Sequence, residues 1–304
     1  MPKWLLYATI SMLIWALWSL LSPLASRGLS GSLVQILSSG GLVPFAVVLL
    51  FSKNLKRGTH MGKGSALALA TGVTAGLGNI MLYNALGVGG PASLVFPIVS
   101  LAPVIPVLTS PFLFKEKIRG IQLAGIVIAM IAIVLLNMSP SSTPELGSVR
   151  LFSGWMVYAL LALIIFGVTF ITQKGATYFI SDELSTVVYT VGFVVLDLAL
   201  FVIAPAPSLN WKIPAIAGWV SVFIGVLMGA GTLTLFAAYR YGKASIVTPF
   251  SQLFPILTVL IAVPLYHERL DLLRCIGIAA ALGGGIILSL EKSTPPASLE
   301  AADG

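Results

Sequence analysis

Ten runs of about twenty mostly apolar residues occupy most of this 304-residue chain, near residues 4–26, 32–52, 65–86, 92–114, 119–138, 153–174, 184–204, 214–238, 244–266 and 271–290. Each is long enough to cross a hydrocarbon core, which takes ~20 helical residues. Lipid offers unpaired backbone amides no partner, so runs of this length are helices rather than strands. Charged residues make up only 9% of the chain, against roughly 25% in an ordinary soluble domain. The expected fold is an all-α integral membrane protein with ten transmembrane helices.

The first run follows Lys3 as a signal peptide would, but its apolar stretch is too long for a signal h-region and is expected to remain as a span. Cys275 is the only cysteine, which excludes an internal disulfide and a cysteine-based metal or redox cluster. A net charge of +7 would suit nucleic acid only if the charges shared one face. They lie in the loops instead. With a cytoplasmic N-terminus, the inner connections hold Lys3, Lys53, Lys56, Arg57, Lys63, Lys115, Lys117, Arg119, Lys174, Arg240, Lys243 and Lys292, and the outer ones hold only Arg27, Arg150, Lys212, Arg269 and Arg274. This positive-inside bias predicts two cytoplasmic termini and a multi-pass protein of the plasma (inner) membrane. The polar tail, 291–304, is expected to be disordered and cytoplasmic.

Pro91 to Lys117 aligns without gaps to Lys243 to Arg269. Ala92, Ser93, Val95, Pro97, Leu101, Pro103, Val107, Leu113 and Glu116 meet Ala244, Ser245, Val247, Pro249, Leu253, Pro255, Val259, Leu265 and Glu268. Gly72, Gly76 and Gly78 of the third run likewise correspond to Gly225, Gly229 and Gly231 of the eighth. The chain is therefore duplicated, with five helices in 4–138, a linker at 139–150 and five helices in 151–290. A repeat with an odd number of spans enters the membrane from opposite sides in its two copies. Such inverted repeats are a device of secondary transporters, whose substrate site lies near the midplane.

The proline-rich fourth and ninth helices, each followed by an acidic turn (FLFKEKIRG and PLYHERLDL), resemble the EamA repeat of the drug/metabolite transporter superfamily. The resemblance covers nearly all of residues 4–290. In that family the turn usually reads Gly-Glu-Arg-Leu; here it reads Lys-Glu-Lys-Ile and His-Glu-Arg-Leu, a departure that leaves the substrate subfamily open. The resemblance implies a basket of ten helices around a central cavity, the fifth and tenth lying outside it.

Pro97 and Pro103 in the fourth helix, and Pro249 and Pro255 in the ninth, each remove a backbone donor and predict a bent or loosened helix. Ser245, Thr248 and Gln252 share one helical stripe, and Ser93 and Ser100 hold the first and last of those positions in the twin helix. Both stripes are read as facing the cavity; the competing reading is that hydroxyls back-bond to their helix and Gln252 ties two helices together. Asn79 and Tyr83 share a face of the third helix with Gly72 and Gly76, offering hydrogen-bonding groups beside close packing. Trp15, four residues from Ser11 in the first helix, is a candidate aromatic wall, with lipid-facing or core packing as the competing reading. The candidate solute-binding residues are thus Gln252, Asn79, Tyr83, Trp15, Ser100 and Thr248. Lys174 is expected to snorkel to the cytoplasmic surface, with contact to an anionic solute as its alternative. Glu116 and Glu268, beside Lys117 and Arg269, read as helix-end salt bridges or gate contacts.

Asp197 is the one ionisable residue well inside a run, and the second run has no acidic counterpart. A charged carboxylate at that depth costs at least about 2.5–3.5 kcal/mol, so it should face the protein interior, as a coupling residue or as a hydrogen-bonding tie to a neighbouring helix. Catalytic signatures are absent: GTHMGKGS at Gly58 to Ser65 misses P-loop spacing and follows a helix, and the histidines, His60 and His267, fall in loops. The expected function is secondary transport of small organic, amino-acid-like solutes, moved outward by alternating access, with protons as a possible coupling ion. No enzyme activity, cofactor, metal or nucleic-acid partner is expected, and the protein is a monomer or homodimer in the bilayer. The alternatives are a phosphate-ester or nucleotide-sugar exchanger of the same superfamily, and a non-transporting scaffold or channel.

Overall fold

A computed structural model describes residues 1–25, 29, 31–88, 92–137, 154–203, 213–266 and 272–292. The described residues form α1 (Lys3–Ala25), α2 (Gly31–Leu49), α3 (Met61–Gly87), α4 (Ala92–Val99), α5 (Val104–Leu113), α6 (Gly120–Asn137), α7 (Gly154–Ala176), α8 (Asp182–Ile203), α9 (Ala215–Tyr241), α10 (Ala244–Ser251), α11 (Phe254–Tyr266) and α12 (Leu272–Ser289). The segments α4 with α5, and α10 with α11, are the expected fourth and ninth helices, each broken in two. The all-α fold of ten spans in two five-helix repeats is therefore present. Lys3–Ser22, Met61–Ala85, Val95–Leu113, Gly154–Ala176 and Ala215–Tyr241 have by themselves the length and apolarity of a full span. The linker at 139–150, the tail from 293, and His267, Glu268 and Arg269 lie outside the described residues.

The breaks follow from proline chemistry, though not at Pro97 or Pro249. Pro97 and Pro249 sit inside α4 and α10. The regular ladder gives way at Ser100–Pro103 and at the aligned Gln252 and Leu253. Pro103 has no N–H to offer the carbonyl of Val99, and Ala102 takes that oxygen instead at 3.0 Å. In the twin, Leu253 N–H turns back to Phe250 O at 3.1 Å. Ala102, Ser251 and Leu253 are buried, which is where irregular backbone at membrane depth is tolerated.

The chain divides into two compact units, each drawing on both repeats: Met1–Gly76 with Ile171–Gly242, and Leu77–Phe170 with Lys243–Lys292. In the first, the core gathers Leu42, Tyr189, Phe193, Met228 and Phe236, with Trp15 and Trp18 packed against it. Two helix crossings there are duplicates of each other. Gly225 of α9 lets its backbone meet Ser38 of α2, where a Cβ would stand 1.7 Å from the Ser38 carbonyl oxygen. Gly72 of α3 does the same against α8, with 2.0 Å to the Tyr189 oxygen. The second and third helices of one repeat thus pack on the third and second of the other through matching glycines.

The second unit is built around Ala85, Val95 and Ala159, with Leu82, Ile98, Trp155 and Tyr158 against them. Here the last helices of the two repeats, α6 and α12, pack face to face. Gly284 brings α12 against the Ala129 backbone, and Gly125 brings α6 against Ile287. Large apolar side chains such as Phe112, Val202 and Trp219 remain exposed, as lipid-facing surfaces require.

Candidate functional site

In the second unit the sequence-predicted binding residues fall on the broken helices and on α3. All eight residues of α10 are buried. Thr248 uses its hydroxyl to back-bond Ala244 O at 2.7 Å. Gln252 and Ser100, aligned in the two repeats, each occupy the first position after a half-helix ends, and both are half-buried. Ser100 Oγ donates to Pro97 O at 2.7 Å, while Gln252 N–H still reaches Thr248 O at 3.1 Å. Asn79 and Tyr83 are half-buried on α3. This unit therefore holds five of the candidates: Asn79, Tyr83, Ser100, Thr248 and Gln252.

Ser245 does not stand free on the stripe with Thr248 and Gln252. Its hydroxyl and its N–H both go to Glu116 Oε2, at 2.9 and 3.1 Å, and Ala244 N–H goes to Glu116 Oε1 at 2.7 Å. Glu116 is thus a cap on the first turn of α10 rather than a partner of Lys117. A carboxylate is favoured there by the helix dipole as well as by the orphan donors. Lys243 completes the arrangement, donating to Lys117 O at 2.8 Å and pairing with Glu291 at 2.8 Å. Gln122 in turn donates to Glu291 and accepts Arg119 N–H at 2.7 Å.

Trp15 belongs to the first unit, in edge contact with Trp18 at 5.6 Å between ring centroids. It lies against Gly231, and Ser11 Oγ donates to Gly231 O at 3.1 Å. The indole N–H groups of both tryptophans are buried without a hydrogen-bond partner.

Asp197, also in the first unit, is buried on the face of α8 that meets α2. Gln35 Nε2 donates to its Oδ1 and Ser39 Oγ to its Oδ2, both at 2.6 Å. Gln35 and Ser39 were missed by sequence reasoning; the available trace was a glutamine and a serine four apart in a mostly apolar run that also holds Ser32 and Ser38. At the end of this unit that carries the Lys- and Arg-rich connections, Lys174 does not snorkel. It is 5% exposed, and its ammonium donates to Tyr239 O at 2.5 Å and Gly242 O at 2.8 Å, terminating α9. Tyr178 covers the same ammonium at 5.0 Å. Arg240 was also unforeseen: its guanidinium binds Asp182 at 2.7 Å and donates to the carbonyls of Thr177 and Ile180.

No group of three or more His, Cys, Asp or Glu side chains placed to hold a metal occurs among the described residues.

Three comparisons bear on this arrangement. The sequence model of the EamA-like transporter family matches residues 2–138 and again 153–290. An uncharacterized transporter of Helicobacter pylori (strain ATCC 700392 / 26695) is 27% identical over 192 residues, 62% of each chain. The uncharacterized transporter YetK of Bacillus subtilis (strain 168) is 24% identical over 206 residues, 65% of this chain and 60% of that one. The chain thus aligns to less than two thirds of the length of these relatives. A crystal structure superposes with a TM-score of 0.73 over 94% of this chain and 96% of the other, at 17% identity. That likeness shows the fold alone.

Proposed function

The chain belongs to the EamA-like transporter family, and from that premise we propose that it exports small, amino-acid-like solutes by alternating access. The family makes it a multi-pass membrane transporter of a small solute; the rest is the reading that the geometry supports best. The observation that carries it is the pair of matched helix breaks, at Ser100–Pro103 and at Gln252–Leu253, in the same helix of two inverted repeats. Discontinuous helices of this kind form solute sites in transporters built from repeats. Asn79 and Tyr83 from the first repeat, with Ser100, and Thr248 and Gln252 from the second, bind the solute through neutral hydrogen-bonding groups. Few fixed charges suit a zwitterion or neutral metabolite better than a phosphate ester, which calls for Arg or Lys clamps. The Lys174 ammonium, the alternative anion contact, is directed at two backbone carbonyls.

Asp197 is the coupling residue in this scheme, exchanging a proton during the cycle. The protein lies in the plasma membrane with both termini in the cytoplasm, as a monomer or homodimer. The deciding experiment is flux in sealed proteoliposomes containing the pure protein, screened with radiolabelled amino acids and, separately, sugar phosphates. Protein-dependent amino-acid flux that responds to a pH gradient, with the response lost in Asp197→Asn, is the expected result. Flux of sugar phosphates alone would overturn the solute class.

A further inference from the structure

Gln35 holds the buried α2–α8 polar contact from one end only. Its Nε2 donates to Asp197 Oδ1 at 2.6 Å, while its Oε1 is buried with no hydrogen-bond partner, in a residue that is 3% exposed. Native structures seldom leave such an atom unmet without a reason. A primary amide carries a donor at one end and an acceptor of nearly the same shape at the other, and half a turn about its last side-chain bond exchanges them. A carboxyl group changes roles as well: ionised it only accepts, and protonated it also donates.

We propose that Gln35 is a switch that reads the protonation state of Asp197. It presents Nε2–H to the carboxylate, and turns over to present Oε1 to the carboxylic acid. The step balances: a proton arriving from water binds a lone pair of Oδ1, the Nε2–H···Oδ1 bond breaks, and an Oδ1–H···Oε1 bond forms. Loss of the proton to water reverses it. Ser39 keeps its place throughout, because Oδ2, 2.6 Å from its hydroxyl, accepts in both forms. Asp197 then has the same number of hydrogen-bond partners with or without its proton, which suits a site that must both take up and release one.

The surroundings leave this exchange to the pair. α2 has no ionisable side chain. α3, which crosses α8 at Gly72, carries Lys63 in its exposed first turn and Tyr83 near its other end. α9 carries Tyr239, Arg240 and Tyr241 in its last turn, Arg240 being held by Asp182. α8 itself adds Asp182, Glu183 and Tyr189; of these, Asp182 is held by Arg240 and Tyr189 is buried in the apolar core. Gly76 of α3 covers the contact from the side, a Cβ there standing 2.4 Å from Leu196 and 3.7 Å from Gln35 Nε2.

The inference rests on the coupling reading of Asp197 but is tested apart from it, with the proton as the probe. The full chain in lipid nanodiscs is titrated with pH and followed by infrared difference spectroscopy. A carboxylic-acid C=O band is expected to titrate in the parent and to be missing from Asp197→Asn. In Gln35→Met, which has neither donor nor acceptor, the band should move to higher frequency. Its proton should bind about fivefold more tightly, because the donor lost to a charged oxygen is worth more than the acceptor lost to a neutral O–H. Gln35→Asn, which keeps the amide but withdraws it by one methylene, should move the band the same way and stands in if Gln35→Met does not fold. A band with the parent's frequency and midpoint in the Gln35 variants overturns the switch, as does a spectrum with no titrating carboxyl at Asp197. An intact Gln35-dependent titration beside flux that ignores a pH gradient would instead sink the coupling reading and leave the switch standing.

Discussion

Glu116 Oε1 accepts the backbone N–H of Ala244 at 2.7 Å, so a residue that follows the broken helix of one repeat closes the first turn of the broken helix of the other. The same carboxylate takes the N–H and the hydroxyl of Ser245. Lys115, next to it, is held at a φ of 54°, an uncommon left-handed conformation for a residue with a side chain.

Removing that cap leaves two N–H groups at the start of a buried helix without their acceptor. Glu116→Ala is expected to cost about 1–2 kcal/mol of stability, the upper range for a lost N-cap. Glu116→Gln, which keeps an oxygen but not the charge, should retain about half of it. Thermal unfolding of the detergent-solubilised protein, followed by tryptophan fluorescence, measures both. An alanine variant as stable as the parent would mean that the α10 turn is held by its packing alone.

The duplicated crossings make a paired expectation. A Cβ on Gly225 or Gly72 would meet the backbone oxygen of Ser38 or Tyr189 at 1.7 or 2.0 Å, whereas a Cβ on Gly283 of α12 meets nothing within 4 Å. Backbone cannot step aside as a side chain does. Gly225→Ala and Gly72→Ala should therefore each cost at least about 1–3 kcal/mol, as overpacking does, and Gly283→Ala should be near neutral. Equal unfolding temperatures for all three would contradict the close approach at both crossings.

How much of this was legible depended on whether the information was local. Run length and apolarity placed every helix to within a few residues, because the need to satisfy backbone groups in lipid is set by the chain itself. The proline pairs announced broken helices, and the gapless repeat announced that they would match. What the sequence could not convey was which neighbour a polar side chain meets. Helical phase groups Ser245 with Thr248 and Gln252, yet Glu116, 129 residues away, claims it. Gln35 and Ser39 became visible only once α2 lay against α8. Lys174 looked like a snorkelling lysine because its depth was readable and the carbonyls ending α9 were not.

Orientation rests on the loop charges, twelve Lys and Arg on one side against five on the other. Single cysteines introduced near Lys56 and in the tail beyond Lys292, in a background lacking Cys275, should react with an impermeant maleimide only from the cytoplasm. One placed near Ser208 should react only from outside. Finding the two termini on opposite faces of the membrane would contradict ten spans.

Gln252 and Asn79 supply the sharpest test of the solute site, because they come from different repeats and sit in the same compact unit. Gln252 stands where α10 ends and Asn79 lies one helical turn before Tyr83 on α3. Each loses one neutral hydrogen bond on replacement by alanine, worth about 0.5–1.5 kcal/mol, or roughly 2- to 12-fold in apparent affinity. Ser100→Ala should have less effect, since its hydroxyl is directed back to Pro97 O at 2.7 Å. Flux measured against solute concentration in proteoliposomes separates the possibilities. A raised half-saturation concentration with unchanged protein stability marks a residue that touches the solute. An unchanged concentration with a lowered unfolding temperature marks one that only joins helices. If Gln252→Ala and Asn79→Ala both fall in the second group, the solute does not bind at the α10 break, and the buried, unpaired indoles of Trp15 and Trp18 become the next residues to replace.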